Sequence, residues 1–123
     1  MTDIQRHHTN ARMSKIVCHG GLVYLCGQTA KGSPSANGDI AAQTMEVLTR
    51  IDTLLAEAGS DRTRLLTVTI YLRDIVDFAG MNAVWEAWLA GQQAGAPART
   101  TIEAAMATES LRVEMTVTAA AGN

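Results

Sequence analysis

The sequence is poor in aromatic residues and has no surplus of positive charge. Aromatic side chains make up 4% of the 123 residues, and ten basic residues stand against twelve acidic ones, for a formal net charge of −2. Proteins that bind nucleic acid usually carry a basic surface and aromatic platforms for stacking. We therefore expect no nucleic-acid partner.

Long apolar runs and clustered metal ligands are also missing from the sequence. No segment reaches the roughly eighteen apolar residues of a membrane span, and the polar residues 1–10 do not have the pattern of a signal peptide. We expect a cytoplasmic protein with no membrane partner. The three histidines lack metal-ligand spacing and no cofactor-binding motif is present, so we expect neither a metal nor a cofactor.

Residues 15–26 predict a β-hairpin. Two β-rich runs flank Gly20-Gly21, which is typical of a two-residue turn. A turn at this point puts the side chains of Cys18 and Cys26 on opposite faces of the hairpin. We therefore expect no disulfide, as is usual in a reducing compartment.

The rest of the chain alternates helical and strand patterns. Asp39 can cap a helix that runs to about Ala58, and Asp77 can cap a second one. The second helix has a predicted buried stripe of Phe78, Met81, Val84, Trp85, Trp88 and Leu89. Further strands are predicted at Arg64–Arg73, Ala98–Ala104 and Leu111–Ala119, with a weak strand in residues 3–9. This order indicates a single α+β domain over residues 1–123, with two helices packed on one face of a mixed sheet.

The other face of this sheet is rich in threonine. On strand 64–73 the even positions, including Leu66, are aliphatic, whereas Thr67 and Thr69 occupy the opposite face. Such a face is too polar for a core and too apolar to be favoured in open water. It therefore indicates an interface between subunits.

Arg99 and Glu114 are the charged residues on the predicted strands that could carry chemistry. Alternation with Ile102 toward the core predicts that Arg99 points to the same threonine-rich face as Glu114. A guanidinium can bind a carboxylate through two parallel hydrogen bonds, and a nearby carboxylate can hold a water molecule or move a proton. Taken alone, the alternation favours a simple interfacial ion pair between the two residues over a binding site.

Five segments, in order, resemble the RidA/YjgF family, also called endoribonuclease L-PSP-like, over nearly the whole chain. They are GGLVYLCGQ (20–28), GDIAAQTMEVLTRIDTLLAEAGS (38–60), VTIYLRDIVDFAGMNAVWEAW (68–88), APART (96–100) and VEMTVTA (113–119). Members of that family share a chorismate-mutase-like fold and form trimers, with the sheets inside, the helices outside and three clefts between subunits. The resemblance therefore implies a homotrimer with inter-subunit clefts.

The resemblance also implies the residues of a site. Arg99 corresponds to the family arginine that binds the substrate carboxylate, and Glu114 to the glutamate proposed to position the attacking water. The other substrate-binding positions that it implies are Met13, Cys26, Gly27, Asn82 and Thr101. Arg12-Met13-Ser14-Lys15 stands where deaminating members read Pro-Tyr-Ser-Gln, so Met13 replaces the tyrosine that closes over the substrate. This replacement indicates a divergent branch of the family.

The activity that the resemblance implies is hydrolysis of 2-aminoacrylate and related 2-imino acids to 2-keto acids and ammonia. An imine is already electrophilic, so orienting it and supplying a water molecule could suffice. We therefore expect an enamine/imine deaminase. The alternatives are a non-catalytic protein that binds or senses a small keto acid or amino acid in the same clefts and, less favoured, an endoribonuclease.

Overall fold

The computed structural model describes residues 3–122, which form one mixed sheet with helices on one side. The strands are β1 (Gln5–Thr9), β2 (Ser14–His19), β3 (Leu22–Leu25), β4 (Leu65–Leu72), β5 (Ala98–Glu103) and β6 (Val113–Ala120). The helices are α1 (Ile40–Glu57) and α2 (Phe78–Leu89). The order across the sheet is β1-β2-β3-β6-β4-β5, in which only the β4–β5 pair is parallel. The predicted α+β class is confirmed.

The predicted hairpin joins β2 to β3. Gly20 and Gly21 have φ angles of +59° and +80°, in the left-handed region that glycine adopts without steric cost. Cys18 pairs with Val23, and the Cys26 amide donates to a β2 carbonyl at 3.0 Å. Both thiols are free, on opposite faces of the hairpin.

Both helices begin close to their predicted positions. The Asp39 carboxylate accepts a hydrogen bond from the Ala42 amide at 2.9 Å, which satisfies one of the free donors in the first turn of α1. Asp77 precedes α2 but makes no side-chain capping bond there. Phe78, predicted to be buried, is 41% exposed, while Met81, Trp85 and Trp88 are buried as expected.

The core lies between the two helices and one face of the sheet. It combines inward residues of the central strands with the buried stripes of α1 and α2, chiefly Val68, Ile70, Leu72, Val113, Met115, Val117, Val47, Leu48, Ile51, Leu55, Met81 and Trp85. Burying each aliphatic side chain of this kind stabilises the fold by about 1.5–3 kcal/mol.

The second face of the sheet is open in the chain. It carries the threonines of β4 and β6, together with Tyr24, which is 42% exposed. Leu66, predicted to face the core, is 43% exposed, because an irregularity in the β4–β6 register between Leu65 and Thr67 interrupts the alternation. This open face has the mixture of small polar and apolar residues that the sequence predicts.

Candidate functional site

Glu114 lies on the open sheet face, next to the chain segment that follows β3. It is opposite Tyr71 on β4. Gln28 and Met115 exchange two backbone hydrogen bonds, of 2.8 and 3.0 Å, which draw the segment after β3 against β6. As a result the Glu114 carboxylate rests on the Cα of Gly27, in space that a β-carbon at this position would fill. Only glycine allows this approach.

The Glu114 carboxylate is available for a ligand. Among residues 3–122 it accepts no hydrogen bond and forms no ion pair. A cavity of about 290 Å³ adjoins it, lined by Tyr71, Ala104, Ala105, Met106, Glu114 and Thr116. A carboxylate in this setting can accept a hydrogen bond from a water molecule and orient it.

Cys26 borders the same segment as a neutral thiol. Burial raises its pKa above the ordinary value, and the nearby Glu114 carboxylate adds to this effect. The Lys15 ammonium and a hydrogen bond from the Gln28 amide, at 3.3 Å to Sγ, offset part of the rise in pKa. Because the thiolate is the reactive form, Cys26 is suited to polar contact with a ligand and not to nucleophilic attack.

Arg99 lies on the other side of the sheet, beside α2. One of its terminal nitrogens donates to Oδ1 of Asn82 at 2.7 Å. The guanidinium carbon lies 5.8 Å from the ring centroid of Phe78 and 5.7 Å from that of Trp85, within cation–π range. One of the five N–H donors is used by Asn82, so others can bind a carboxylate in the adjoining cavity of about 490 Å³.

Thr101 lies on the same side of the sheet as Arg99, facing the helices. Its hydroxyl oxygen is buried and has no hydrogen-bond partner among residues 3–122. A buried hydroxyl without a partner destabilises the folded chain, so it favours any ligand or second chain that supplies one.

The predicted common face for Arg99 and Glu114 was wrong. β5 runs parallel to β4 with Arg99 beside Val68, so the Arg99 side chain lies on the helix side. Ile102, predicted to face the core, pairs with Tyr71 on the open face and is 43% exposed. Alternation along a strand shows only that successive side chains point to opposite faces of the sheet. The pairing of β5 with β4 decides which of these side chains point toward the helices.

Met13 is 47% exposed in the turn between β1 and β2. The Asn10 side chain fixes this turn by accepting hydrogen bonds from the backbone amides of Arg12 and Met13, at 2.8 and 3.1 Å. The Met13 side chain lines neither the cavity beside Glu114 nor the one beside Arg99. The predicted site residues thus form two clusters, one around Glu114 and one around Arg99, with Met13 apart from both.

Comparison with known proteins finds relatives over nearly the whole chain. The family model described as Endoribonuclease L-PSP matches residues 4–121. A RutC family protein of Haemophilus influenzae is 37% identical over 116 residues, covering 94% of this chain and 97% of that protein. The chain belongs to the RidA/YjgF family.

Other RidA/YjgF relatives agree in sequence and in structure. The RutC family protein YoaB of Escherichia coli is 34% identical over 117 residues, covering 95% of this chain and 97% of its own length. The crystal structure of a YjgF family member from Neisseria meningitidis superposes with a TM-score of 0.88 at 41% identity, covering 98% of this chain and 97% of that one.

The sequence did not predict a role beside the two clusters for several residues. Phe78 and Trp85, predicted only as members of the buried stripe, flank Arg99 together with the predicted Asn82, and the spacing i, i+4, i+7 places the three on one side of α2. Gln28 is buried and its amide donates to the Cys26 carbonyl at 3.1 Å. No local pattern signals that contact, because it depends on how the chain leaves β3.

Clustered metal ligands and long apolar helices are absent from the part of the chain that the structure describes. Within residues 3–122, no three His, Cys, Asp or Glu side chains come together as metal ligands would. None of the helices there has the length and apolar character needed to cross a membrane.

Proposed function

We propose that the protein is an enamine/imine deaminase that hydrolyses small 2-imino acids, such as that derived from 2-aminoacrylate, to 2-keto acids and ammonia. The observation that carries the proposal is the presence, in a RidA/YjgF chain, of guanidinium donors on Arg99 and a carboxylate on Glu114 that have no partner among residues 3–122. These are the groups that such a reaction uses, one to hold the substrate carboxylate and one to orient water.

The two groups work together only across a subunit boundary. Arg99 lies on the helix side of β5, the edge strand of the sheet, and Glu114 lies on the open face of β6. A single cleft can contain both if the Arg99 edge of one chain meets the Glu114 face of the next. A head-to-tail contact closes into a ring when the rotation between neighbouring subunits divides a full turn evenly, and we propose a homotrimer with three such clefts.

The composition of the open face supports an interface there. Three large apolar or aromatic side chains, Tyr24, Leu66 and Ile102, are each more than 40% exposed. Apolar side chains grouped with threonines on one sheet face are typical of a surface covered by another subunit.

The Arg99 cluster would fix the substrate in one orientation. Two parallel N–H groups of the guanidinium can bind the substrate carboxylate, while Asn82 and the two aromatic rings hold the guanidinium plane. The unpartnered Thr101 hydroxyl is a further donor on the same side of the sheet. The substrate loses its rotational freedom on binding, which lowers the barrier for attack by a positioned water.

Glu114 would then direct the water. Its carboxylate accepts a proton from the water as the oxygen bonds to the imine carbon, and the electron pair of the C=N bond moves to nitrogen, which is protonated. The resulting carbinolamine loses ammonia when its hydroxyl proton is passed through the carboxylate to the amino nitrogen and the C–N bond breaks, leaving the keto acid. An enamine substrate first takes a proton on carbon and gives up a proton from nitrogen, which makes it the imine. Water is the only co-reactant.

The test is an assay in which 2-aminoacrylate and longer-chain imino acids are generated in situ and the formation of keto acid and ammonia is followed. We expect the protein to accelerate imine decay above the spontaneous rate. No acceleration with any imino acid would overturn the deaminase proposal.

The second candidate is a protein that binds a small carboxylate without turning it over. Met13, in place of the family tyrosine, favours this alternative because a thioether cannot donate a hydrogen bond to the substrate. Binding of a keto acid by a protein that leaves the imine decay rate unchanged would establish it. The family description also names an endoribonuclease, an activity that the net charge of −2 disfavours.

A further inference from the structure

A separate cavity of about 530 Å³ lies between the β1–β2 pair, the loop after β3 and the side of α1. Its walls include His8, Lys15, Lys31, Arg50 and Glu57. None of these residues lines the cavity beside Arg99 or the one beside Glu114. The cavity is therefore separate from both of those cavities, although the Lys15 ammonium also lies near Cys26.

The cavity carries an excess of positive charge. Its two carboxylates already have partners: Glu46 accepts from Arg50 at 2.9 Å, and Glu57 is 2.6 Å from the His8 imidazole. Lys15 and Lys31 also line it, and among residues 3–122 neither ammonium group forms a hydrogen bond or an ion pair. With histidine neutral, as in the formal net charge of −2, the lining has the three cations Lys15, Lys31 and Arg50 against two carboxylates, so one positive charge is in excess and two ammonium groups have no partner. Such a surface concentrates anions.

His8 gives an independent indication that the cavity has a ligand. Its φ angle is +56°, and it is the one residue other than glycine with positive φ among residues 3–122. Strained backbone of this kind clusters at binding sites, where the surrounding structure holds it in place. Here the bond from the imidazole to Glu57 joins β1 to α1 and so fixes the distance between two walls of the cavity.

We propose that this cavity binds a phosphate group, either as the free anion or as part of a small phosphate monoester. Two compact ammonium charges match an anion that carries close to two negative charges at neutral pH. Planar, two-pronged recognition of a carboxylate would require a free guanidinium. Arg50 is less suited to this role than a free guanidinium, because its Nε donates to Glu46 and its Nη1 donates to the Thr29 carbonyl. The volume is more than a bare phosphate fills and leaves room for a small organic group.

Calorimetric titration at constant ionic strength tests the proposal with inorganic phosphate, glycerol phosphate and succinate as separate ligands. We expect saturable binding of a phosphate ligand, weakened about fivefold or more by Lys31→Gln and by Lys15→Gln. Both lysines are exposed, so these variants should fold. Arg6→Gln is the matched control, because Arg6 is an exposed cation on β1 that does not line the cavity.

Comparison of the ligands identifies the source of the phosphate. Equal affinity for both phosphate ligands means that the phosphate group alone is recognised, and tighter binding of the ester means that the organic part also makes contacts; each supports the proposal. No saturable binding of either ligand, unchanged affinity in both lysine variants, or equally tight binding of succinate would overturn it. None of these measurements depends on imine hydrolysis. The phosphate-binding proposal can therefore fail while the deaminase proposal holds, and the reverse is also true.

Discussion

The carboxylate of Glu114 and the Cα of Gly27 lie in direct contact, with no room between them for a β-carbon. The contact exists because Gln28 and Met115 pair through their backbones just beyond it. It keeps the carboxylate close to Cys26 and beside the cavity on the open sheet face.

Gly27→Ala should therefore impair catalysis more than folding. The added methyl group has to displace the Glu114 carboxylate, and a shift of this size at a positioning group typically reduces the rate by tenfold or more. The cost in stability should be about 1–3 kcal/mol, the usual range for overpacking. Measurements of kcat/KM and of thermal unfolding check this, and unchanged kcat/KM in a folded variant would contradict it.

The fold could be predicted from the sequence where local pattern decides it. The turn at Gly20-Gly21, the cap at Asp39 and the aliphatic alternation of β4 each follow from one short segment. The orientation of β5 depends instead on its parallel pairing with β4, far along the chain, and this pairing turns Arg99 toward the helices. The alternation of residues alone could not show this orientation. β5 is an edge strand, and it has too few apolar residues to show which of its faces packs on the core.

The candidate site was predictable as a set of residues but not as an arrangement. Family resemblance supplied Arg99, Glu114 and the positions around them, while their location on opposite sides of the sheet emerges only from strand pairing. The irregularity that exposes Leu66 escaped prediction for a related reason, since it depends on the register with β6.

Glu114→Gln tests the proposed role in directing water. Glutamine keeps the size of the side chain but cannot accept a proton, so hydrolysis should slow by roughly 10²-fold or more, a typical general-base contribution. The affinity for a keto acid should change little. Steady-state kinetics and titration of the product separate the two effects. Glu109→Gln, an exposed carboxylate outside both site cavities, is the matched control and should retain full activity.

Arg99→Ala should weaken binding of a small keto acid. Loss of a two-pronged charged contact costs about 2–3 kcal/mol, which corresponds to about 30- to 150-fold in affinity. Arg99→Lys keeps the positive charge but loses the planar guanidinium that binds a carboxylate through two hydrogen bonds. It should therefore recover only part of the lost affinity. Calorimetry measures the affinities, and equal affinity in wild type and Arg99→Ala would remove Arg99 from the site. Because Arg99 also contacts two rings of α2, thermal unfolding of each variant serves as the control for folding.

The proposed trimer can be tested through its open face. Light scattering should give about three times the chain mass of 13.1 kDa. Ile102→Asp puts a charge on a surface that we expect to be covered, so it should shift the mass toward the monomer. Circular dichroism should show an intact fold, because Ile102 lies outside the core. The dissociated variant should also lose imine hydrolysis, since Arg99 and Glu114 are on opposite sides of each sheet; a fully active monomer would contradict both proposals.

Met13→Tyr addresses whether this branch of the family has changed its substrate or lost its chemistry. Met13 is nearly half exposed in a turn whose backbone is fixed by Asn10, so a tyrosine can replace it without disturbing the core. The phenol would restore the hydrogen-bond donor found in deaminating members, whereas the thioether can only cover a cleft and exclude water. We expect wild type to hydrolyse 2-aminoacrylate weakly and Met13→Tyr to do so faster, as measured by keto acid formation. Met13→Leu is the control, because it keeps an apolar cover without a donor and should behave as wild type. If neither wild type nor Met13→Tyr exceeds the spontaneous rate, while both still bind a keto acid through Arg99, the protein is a carboxylate binder and not a deaminase.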